Sequence, residues 1–275
     1  MNLFIIDQNR LRSDALDDRL HYSTPADLFV LIDTAFVEMC KGKAFEIASN
    51  KNFMFLREHP SKVAVGSSIS ELLRQELHTR KPTSDIINPN LTDAFRLYLE
   101  ELRTHGQARP RHAKLMELVT LHQDSLADGA LNIAKKRADL QSTLDSWKQN
   151  LSPEDLQSLR SHRWTDKKWL SKSGVAAANG AIQLLIENGW SRDEAVAFCK
   201  LSPLFFRFQL AFNNLALHWL EHHGLPTAKD DTVLNDLLDM EYVVSATYAK
   251  ELVTIDQKAG EQLALLNRLL EKATN

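Results

Sequence analysis

The feature that most constrains this chain is a repeated signal: a short, β-prone apolar run closed at once by an acid. It occurs as Phe4-Ile5-Ile6 before Asp7, as Val30-Leu31-Ile32 before Asp33, and as Leu252-Val253-Thr254-Ile255 before Asp256. Runs without polar alternation have no solvent face, so they suit strands covered on both sides, as in a parallel sheet flanked by helices. Strands are expected at residues 3–6, 28–32, 63–65 and 251–255.

The segments between them read as helices. Residues 34–41 and 44–58 carry helical spacing, the second broken near Asn50. The capping-box pattern Ser68-Ile69-Ser70-Glu71 opens another helix that runs toward Arg80. From 81 to 225 strand signals vanish. Apolar residues recur at helical intervals: Phe95, Leu99 and Leu102; Leu115, Val119, Leu126 and Ile133; Leu140, Leu144 and Trp147. Ser152-Pro153-Glu154 and Ser191-Arg192-Asp193-Glu194 mark helix starts within this block. After Gly224-Leu225-Pro226 the α/β texture returns, with helices expected at 230–249 and 260–272 around the last strand. The expected fold is α/β: a central, mostly parallel sheet in a domain built from residues 1–80 and 226–275, with an all-helical insertion at 81–225.

Composition narrows the class. Only 9 Gly and 8 Pro in 275 residues argue against disorder and against many tight turns. A net charge of −3 is poorly matched to broad neutralisation of duplex phosphates, so any nucleic-acid contact must be local or made through bound cations. Cys40 and Cys199 have no CxxC pairing and read as buried free thiols of a reducing compartment. The first residues lack a basic stretch and meet Asp7 after four apolar positions, unlike a signal peptide. The apolar stretches 28–40 and 204–220 are interrupted by Asp33, Arg207, Asn213 and Asn214, so no membrane span is expected and the location is cytoplasmic. Neither a P-loop, a GxGxxG turn nor a GxSxG elbow occurs.

Sites in open α/β sheets form outside the carboxyl ends of the strands, where side chains from different strands converge. Carboxylates gathered there repel by about 3 kcal/mol per pair at 5 Å and an effective dielectric of 20. Such a cluster therefore calls for protons or divalent cations, and an all-oxygen donor set suits Mg2+ or Mn2+. These ions activate water and stabilise a leaving oxygen in phosphodiester cleavage. Any one of the acids alone is more simply a turn or cap residue, Asp33 for the helix it precedes; their conjunction carries the argument.

At both ends the sequence resembles the PIN-domain family of nucleases. Leu3-Phe4-Ile5-Ile6-Asp7-Gln8-Asn9 is similar to the first strand and first acid of that family, with Asn9 at a position that is often polar. Asp33-Thr34-Ala35-Phe36-Val37-Glu38-Met39 is similar to the passage bearing the second acid, here Glu38. The segment from Asn235 through Asp236, Asp239 and Tyr242 to Ala249 resembles the helix of the third acid. The usual separation from the last acid selects Asp239, with Asp236 and then Asp33 as backups. Leu252-Val253-Thr254-Ile255-Asp256-Gln257-Lys258 resembles the closing element of strand, Thr, any residue, Asp. The long helical block departs from compact members of the family.

The resemblance implies hydrolysis of RNA, often single-stranded, with Mg2+ or Mn2+ held by Asp7, Glu38, Asp239 and Asp256. Asn9 and Thr254 would orient water or ligands from behind. The size of the insertion suggests a toxin or phage-defence effector restrained by an inhibitory protein partner, or one assembled as a homo-oligomer. Two alternatives are a flap-type DNA nuclease and an inactive scaffold of the same fold that binds RNA or protein.

Other features compete for function. Arg163, Trp164, Lys167, Lys168 and Trp169 interleave cations with aromatic rings, as single-strand RNA contacts do. The plainer arrangement, tryptophans anchoring a turn with the lysines solvated, is the more common one. Arg103, Arg109, Arg111, His112 and Lys114 line a cleft or mark an exposed connection between helices, the latter being favoured. His218 and His222 share a helix face, but Trp219 rather than Glu follows His218, so a role at the helix end is preferred to zinc binding. His122 reads as a packing residue, Glu71 as the far end of its capping box, and Glu76 is assigned no role.

Overall fold

A computed structural model of the chain describes residues 1–40, 51–105, 133–161, 166–226 and 228–274. Four strands form one parallel sheet: β1 (Asn2–Ile6), β2 (Asp27–Leu31), β3 (Val63–Val65) and β4 (Glu251–Val253), in the order β3-β2-β1-β4. Ile5 of β1 lies opposite Val30 of β2 and Leu252 of β4, and Val30 lies opposite Ala64 of β3. The apolar runs are buried as their lack of polar alternation requires, with Ile5, Ile6, Val30, Leu31 and Val63 fully enclosed.

Helix α1 (Asp14–Tyr22) joins β1 to β2 and turns Leu16 and Leu20, one helical turn apart, into the core. Its outer face is tied to β4, where Arg19 Nη1 donates to Glu251 Oε1 at 2.7 Å. Helix α2 (Asp33–Cys40) starts as β2 ends. In α3 (Ile69–Thr79) the Ser68 hydroxyl accepts from the Glu71 N–H at 3.1 Å, and Arg80 closes the helix in the left-handed region at φ 56°. Residues 86–88 then return along the sheet edge, with Ser67 N donating to Ile86 O and Asn88 N to Val65 O, each at 2.8 Å. The sequence signals no extended segment between residues 81 and 225; this one is made by pairing with β3 rather than by its own pattern. Helix α4 (Pro89–His105) packs on β3, and its buried Thr92 hydroxyl accepts from Val65 N at 2.9 Å.

Among the described residues the remaining helices are α5 (Ile133–Asn150), α6 (Pro153–Ser161), α7 (Lys167–Glu187), α8 (Arg192–Cys199), α9 (Leu204–Glu221), α10 (Asp230–Ala246) and α11 (Gln257–Thr274). Helix α9 is the hub, packing against α3, α5, α6, α7, α10 and α11. Its buried amides are satisfied from neighbours: Trp147 Nε1 donates to Asn213 Oδ1 at 3.1 Å and Ser173 Oγ to Asn214 Oδ1 at 2.6 Å. Its N-terminus is capped from another helix. Glu76 of α3, only 1% exposed, accepts from Leu204 N and Phe205 N at 2.9 Å and from Thr83 N at 2.7 Å. Sequence reading assigned Glu76 nothing because this partnership spans 128 positions. Helix α10 packs against β1, β4 and α2, and so bridges the helices to the sheet. One continuous apolar core runs from Ile5 and Val30 in the sheet to Leu215 and Leu217 in α9.

Several boundaries differ from expectation. Strand β4 stops at Val253, because Thr254 turns its hydroxyl to side-chain partners and Ile255 is 60% exposed. Helix α10 ends at Ala246 rather than 249, and α11 begins at Gln257 because Asp256 caps it. Within 44–58, the described part has helical Lys51–Asn52 followed by a 3-10 turn at Leu56–Glu58. Leu115, Val119, Leu126, Arg109, Arg111, His112, Lys114 and His122 lie outside the described residues, as does the side chain of Cys40. Cys199 is a buried free thiol, pushed up to about 11 by burial and then by the charge of Glu76. Among the described residues no single helix is long and apolar enough to cross a membrane.

Candidate functional site

The chain winds from β1 through β2 to β3 on one side of the sheet and returns as β4 on the other side of β1. Strand order therefore reverses between β1 and β4, and the crevice beyond their carboxyl ends is where such sheets place their sites. Asp7 stands at the end of β1, 6% exposed. Its Oδ2 accepts from Thr254 Oγ1 and from Asn9 Nδ2, each at 2.5 Å, and Asn9 N approaches Oδ1 at 3.3 Å. Burial raises the Asp7 carboxyl above its ordinary range. The hydrogen bonds from Thr254 and Asn9 oppose that, and the charge of Asp256 adds to it.

Thr254 and Asn9 together lock the two strand ends. The Thr254 hydroxyl accepts from Asp256 N at 2.9 Å while donating to Asp7, and Asn9 Oδ1 accepts from Ile255 N at 3.3 Å. Asp256 Oδ1 accepts from Lys258 N at 2.7 Å and Ala259 N at 3.2 Å, so this acid also caps α11. The capping role weighed for a strand-end Asp is thus performed by Asp256.

Helix α10 brings Asp239 over the same crevice. Its carboxyl is pushed up to about 7, first by burial and then by the charges of Asp256, Asp7, Glu38 and Asp236. Glu38, on α2, accepts from the Tyr242 hydroxyl at 2.9 Å. Tyr242 is 1% exposed, and burial, followed by the charges of Glu38 and Asp7, raises its phenol well above the ordinary value, so it stays a proton donor. The charges of Asp7, Glu38 and Asp256 thus all reach Asp239, although the four acids come from four segments of the chain.

The two backups are placed differently. Asp236 is held by Lys258 Nζ at 2.6 Å, and Asp33 Oδ1 accepts from Thr34 N at 2.9 Å in the first turn of α2. Two groups were missed by the sequence reading. Tyr242 lies three residues after Asp239, on nearly the same helical face, and that spacing was available as a signal. Glu241 accepts from Thr34 Oγ1 at 2.6 Å and pairs with Lys136 at 3.2 Å, tying α10 to α2 and α5; nothing local announces it.

The proposed RNA-contact segment divides. Arg163 and Trp164 lie outside the described residues. Trp169 is a correction: it is 1% exposed, with the ammonium groups of Lys168 and Lys172 at 5.0 and 5.3 Å from its ring centroid, so it presents no face for a base to stack on. Lys168 pairs with Asp155 at 2.6 Å, while Lys167 is exposed.

Among the described residues, the group of three ligating side chains whose ligand atoms all lie within 4.8 Å of one another is His218, Glu221 and His222. Asp7, Glu38, Asp239 and Asp256 include no three whose ligand atoms lie that close. Their donor set nevertheless fits a hard divalent cation. It is all oxygen, and the charges that raise Asp239 all come from other acids. Ion binding there requires the carboxylates to draw together.

No family model matches the chain, and no relative is found among the curated proteins or the solved structures. The class is thus defined by the fold itself: a parallel α/β sheet with acids gathered at its topological switch point.

Proposed function

We propose that the chain is a PIN-like, metal-dependent nuclease that hydrolyses RNA at the acid cluster beyond β1 and β4. The observation that carries this reading is the half-buried Asp239 carboxyl, pushed up to about 7 first by burial and then by the charges of Asp256, Asp7 and Glu38. A fold that accepts such repulsion holds a proton or a cation there, and a divalent cation is the ligand that an all-oxygen set selects. Asp7, Glu38, Asp239 and Asp256 would hold Mg2+ or Mn2+, which when bound lowers the pKa of water and stabilises the leaving oxygen of a phosphodiester.

The chain's own residues prepare that site. Thr254 and Asn9 donate to Asp7 and fix its carboxylate plane, while Tyr242 holds Glu38 toward the crevice. The net charge of −3 argues for contact with a short stretch of single strand rather than a wrapped duplex. On this reading the large helical block governs substrate access, and the chain serves as a toxin or defence effector restrained by a partner.

The test is cleavage of matched single-stranded RNA, single-stranded DNA and branched DNA in Mg2+ or Mn2+. RNA should be cut fastest, and Asp7→Asn or Asp256→Asn should lower the rate on the order of 100-fold or more. Unchanged cleavage in both variants removes the assignment. Faster cutting of branched DNA transfers it to a flap-type DNA nuclease, and no Mn2+ uptake in calorimetry leaves a scaffold.

A further inference from the structure

Helix α9 ends in a sequence that the acid cluster does not use: His218-Trp219-Leu220-Glu221-His222. The spacing i, i+3, i+4 puts its three polar side chains on one face of the last turn. The order of histidine, two residues, glutamate and histidine is the inverse of the zinc-protease order that Trp219 rules out, and it too is a zinc-binding order. In the fold these are the three side chains whose ligand atoms lie within 4.8 Å of one another.

We propose that His218, Glu221 and His222 form a binding site for a divalent cation of the zinc class, separate from the acid cluster. His222 is already oriented for it. Its Nδ1 lies 2.9 Å from the His218 carbonyl oxygen. A carbonyl only accepts, so Nδ1 carries the proton and Nε2 keeps the lone pair; backbone carbonyls orient metal-binding imidazoles in this way. Glu221 gives a second reason. It sits in the last turn of the helix, where the dipole disfavours a negative side chain, and a cation held by it reverses that penalty.

The backbone beneath these residues is fixed by a tight termination. Gly224 N donates to Trp219 O at 2.6 Å and His223 N to Leu220 O at 3.2 Å, with φ of 70° at His223 and 89° at Gly224. The two imidazole rings stand 4.6 Å apart. A tetrahedral shell with bonds of about 2.0–2.1 Å spaces its ligand atoms about 3.4 Å apart, so closure takes only small side-chain rotations. His222 is exposed, and His218 and Glu221 are half-buried, which leaves the face open to an ion from solvent. Imidazole nitrogens select zinc or cobalt over magnesium, so the two sites sort different ions.

The experiment is calorimetric titration of the full chain carrying Asp7→Asn, which weakens the acid cluster as a competing sink, with Zn2+. The Co2+ absorption spectrum is recorded in parallel. One zinc per chain is expected, undisturbed by Mg2+. His222→Ala and Glu221→Gln should each weaken zinc binding at least about 10-fold while keeping the helical circular dichroism of the parent. Unchanged zinc affinity in both folded variants, or no uptake at about 100 µM zinc, overturns the proposal.

Discussion

At Asp239 burial and neighbouring charge act in the same direction, and the sign of the consequence is fixed. Its carboxyl is pushed up to about 7 in the fold against an ordinary value near 3.8, so the native state holds a proton that the unfolded chain releases. Stability is complete below pH 4 as far as this group is concerned, and is lost as pH rises from about 4 through about 7. In EDTA the Tm should therefore fall between pH 5 and pH 8, and Asp239→Asn should flatten that fall and raise Tm at pH 8 on the order of 5 °C, while abolishing cleavage. Mn2+ should restore the parent at pH 8 but not the variant; equal pH profiles for the two would remove Asp239 from the charge cluster. Tyr242→Phe keeps the ring and deletes the hydrogen bond to Glu38, so a Mn2+ affinity lowered roughly 10-fold at nearly constant Tm is expected. Asp7 and Asp256 were legible because strand ends are local signals, whereas Glu38 and Asp239 were reached only through the family resemblance. Glu241 left no local signal, because its partner Thr34 lies 207 positions away, whereas the spacing of Tyr242 from Asp239 was available in the sequence.

Among the elements, α9 depends most on a contact outside itself. Its first N–H groups are buried, and Pro203 before it offers no side-chain cap; Glu76 on α3 supplies the acceptor. Glu76→Ala orphans these donors and should lower stability by about 2–4 kcal/mol in urea unfolding, with Glu76→Gln losing less because the amide oxygen still accepts. An alanine variant as stable as the parent would show that water replaces the carboxylate. Helices with their own caps were legible without this help. Ser191 and Glu194 form a complete capping box, and Ser152 accepts from Asp155 N just where the sequence pattern placed a helix start. The strands were equally plain, since an apolar run with no polar alternation admits few other fates. Their ends were less so: β4 yields Thr254 to Asp7, a trade set by a residue 247 positions away.

For the whole molecule, the continuity of the core decides how it unfolds. Apolar side chains of the sheet and of α9 belong to one cluster, and α10 packs on both, so the sheet and the helices share one core. Leu217→Ala, in the fully buried part of α9, should cost about 2–5 kcal/mol and lower tryptophan fluorescence and circular dichroism transitions together. Two separated transitions would overturn that coupling. Hydrophobic periodicity and capping residues act within a few positions, so the order of helices and strands, the α/β class and the acids at strand ends could be read directly from the chain. The approach of those acids to Asp239, the capping of α9 by Glu76 and the burial of Trp169 arise from packing between remote segments. Such contacts leave no periodic trace, because a side chain's partner across the core depends on how every intervening element folds back.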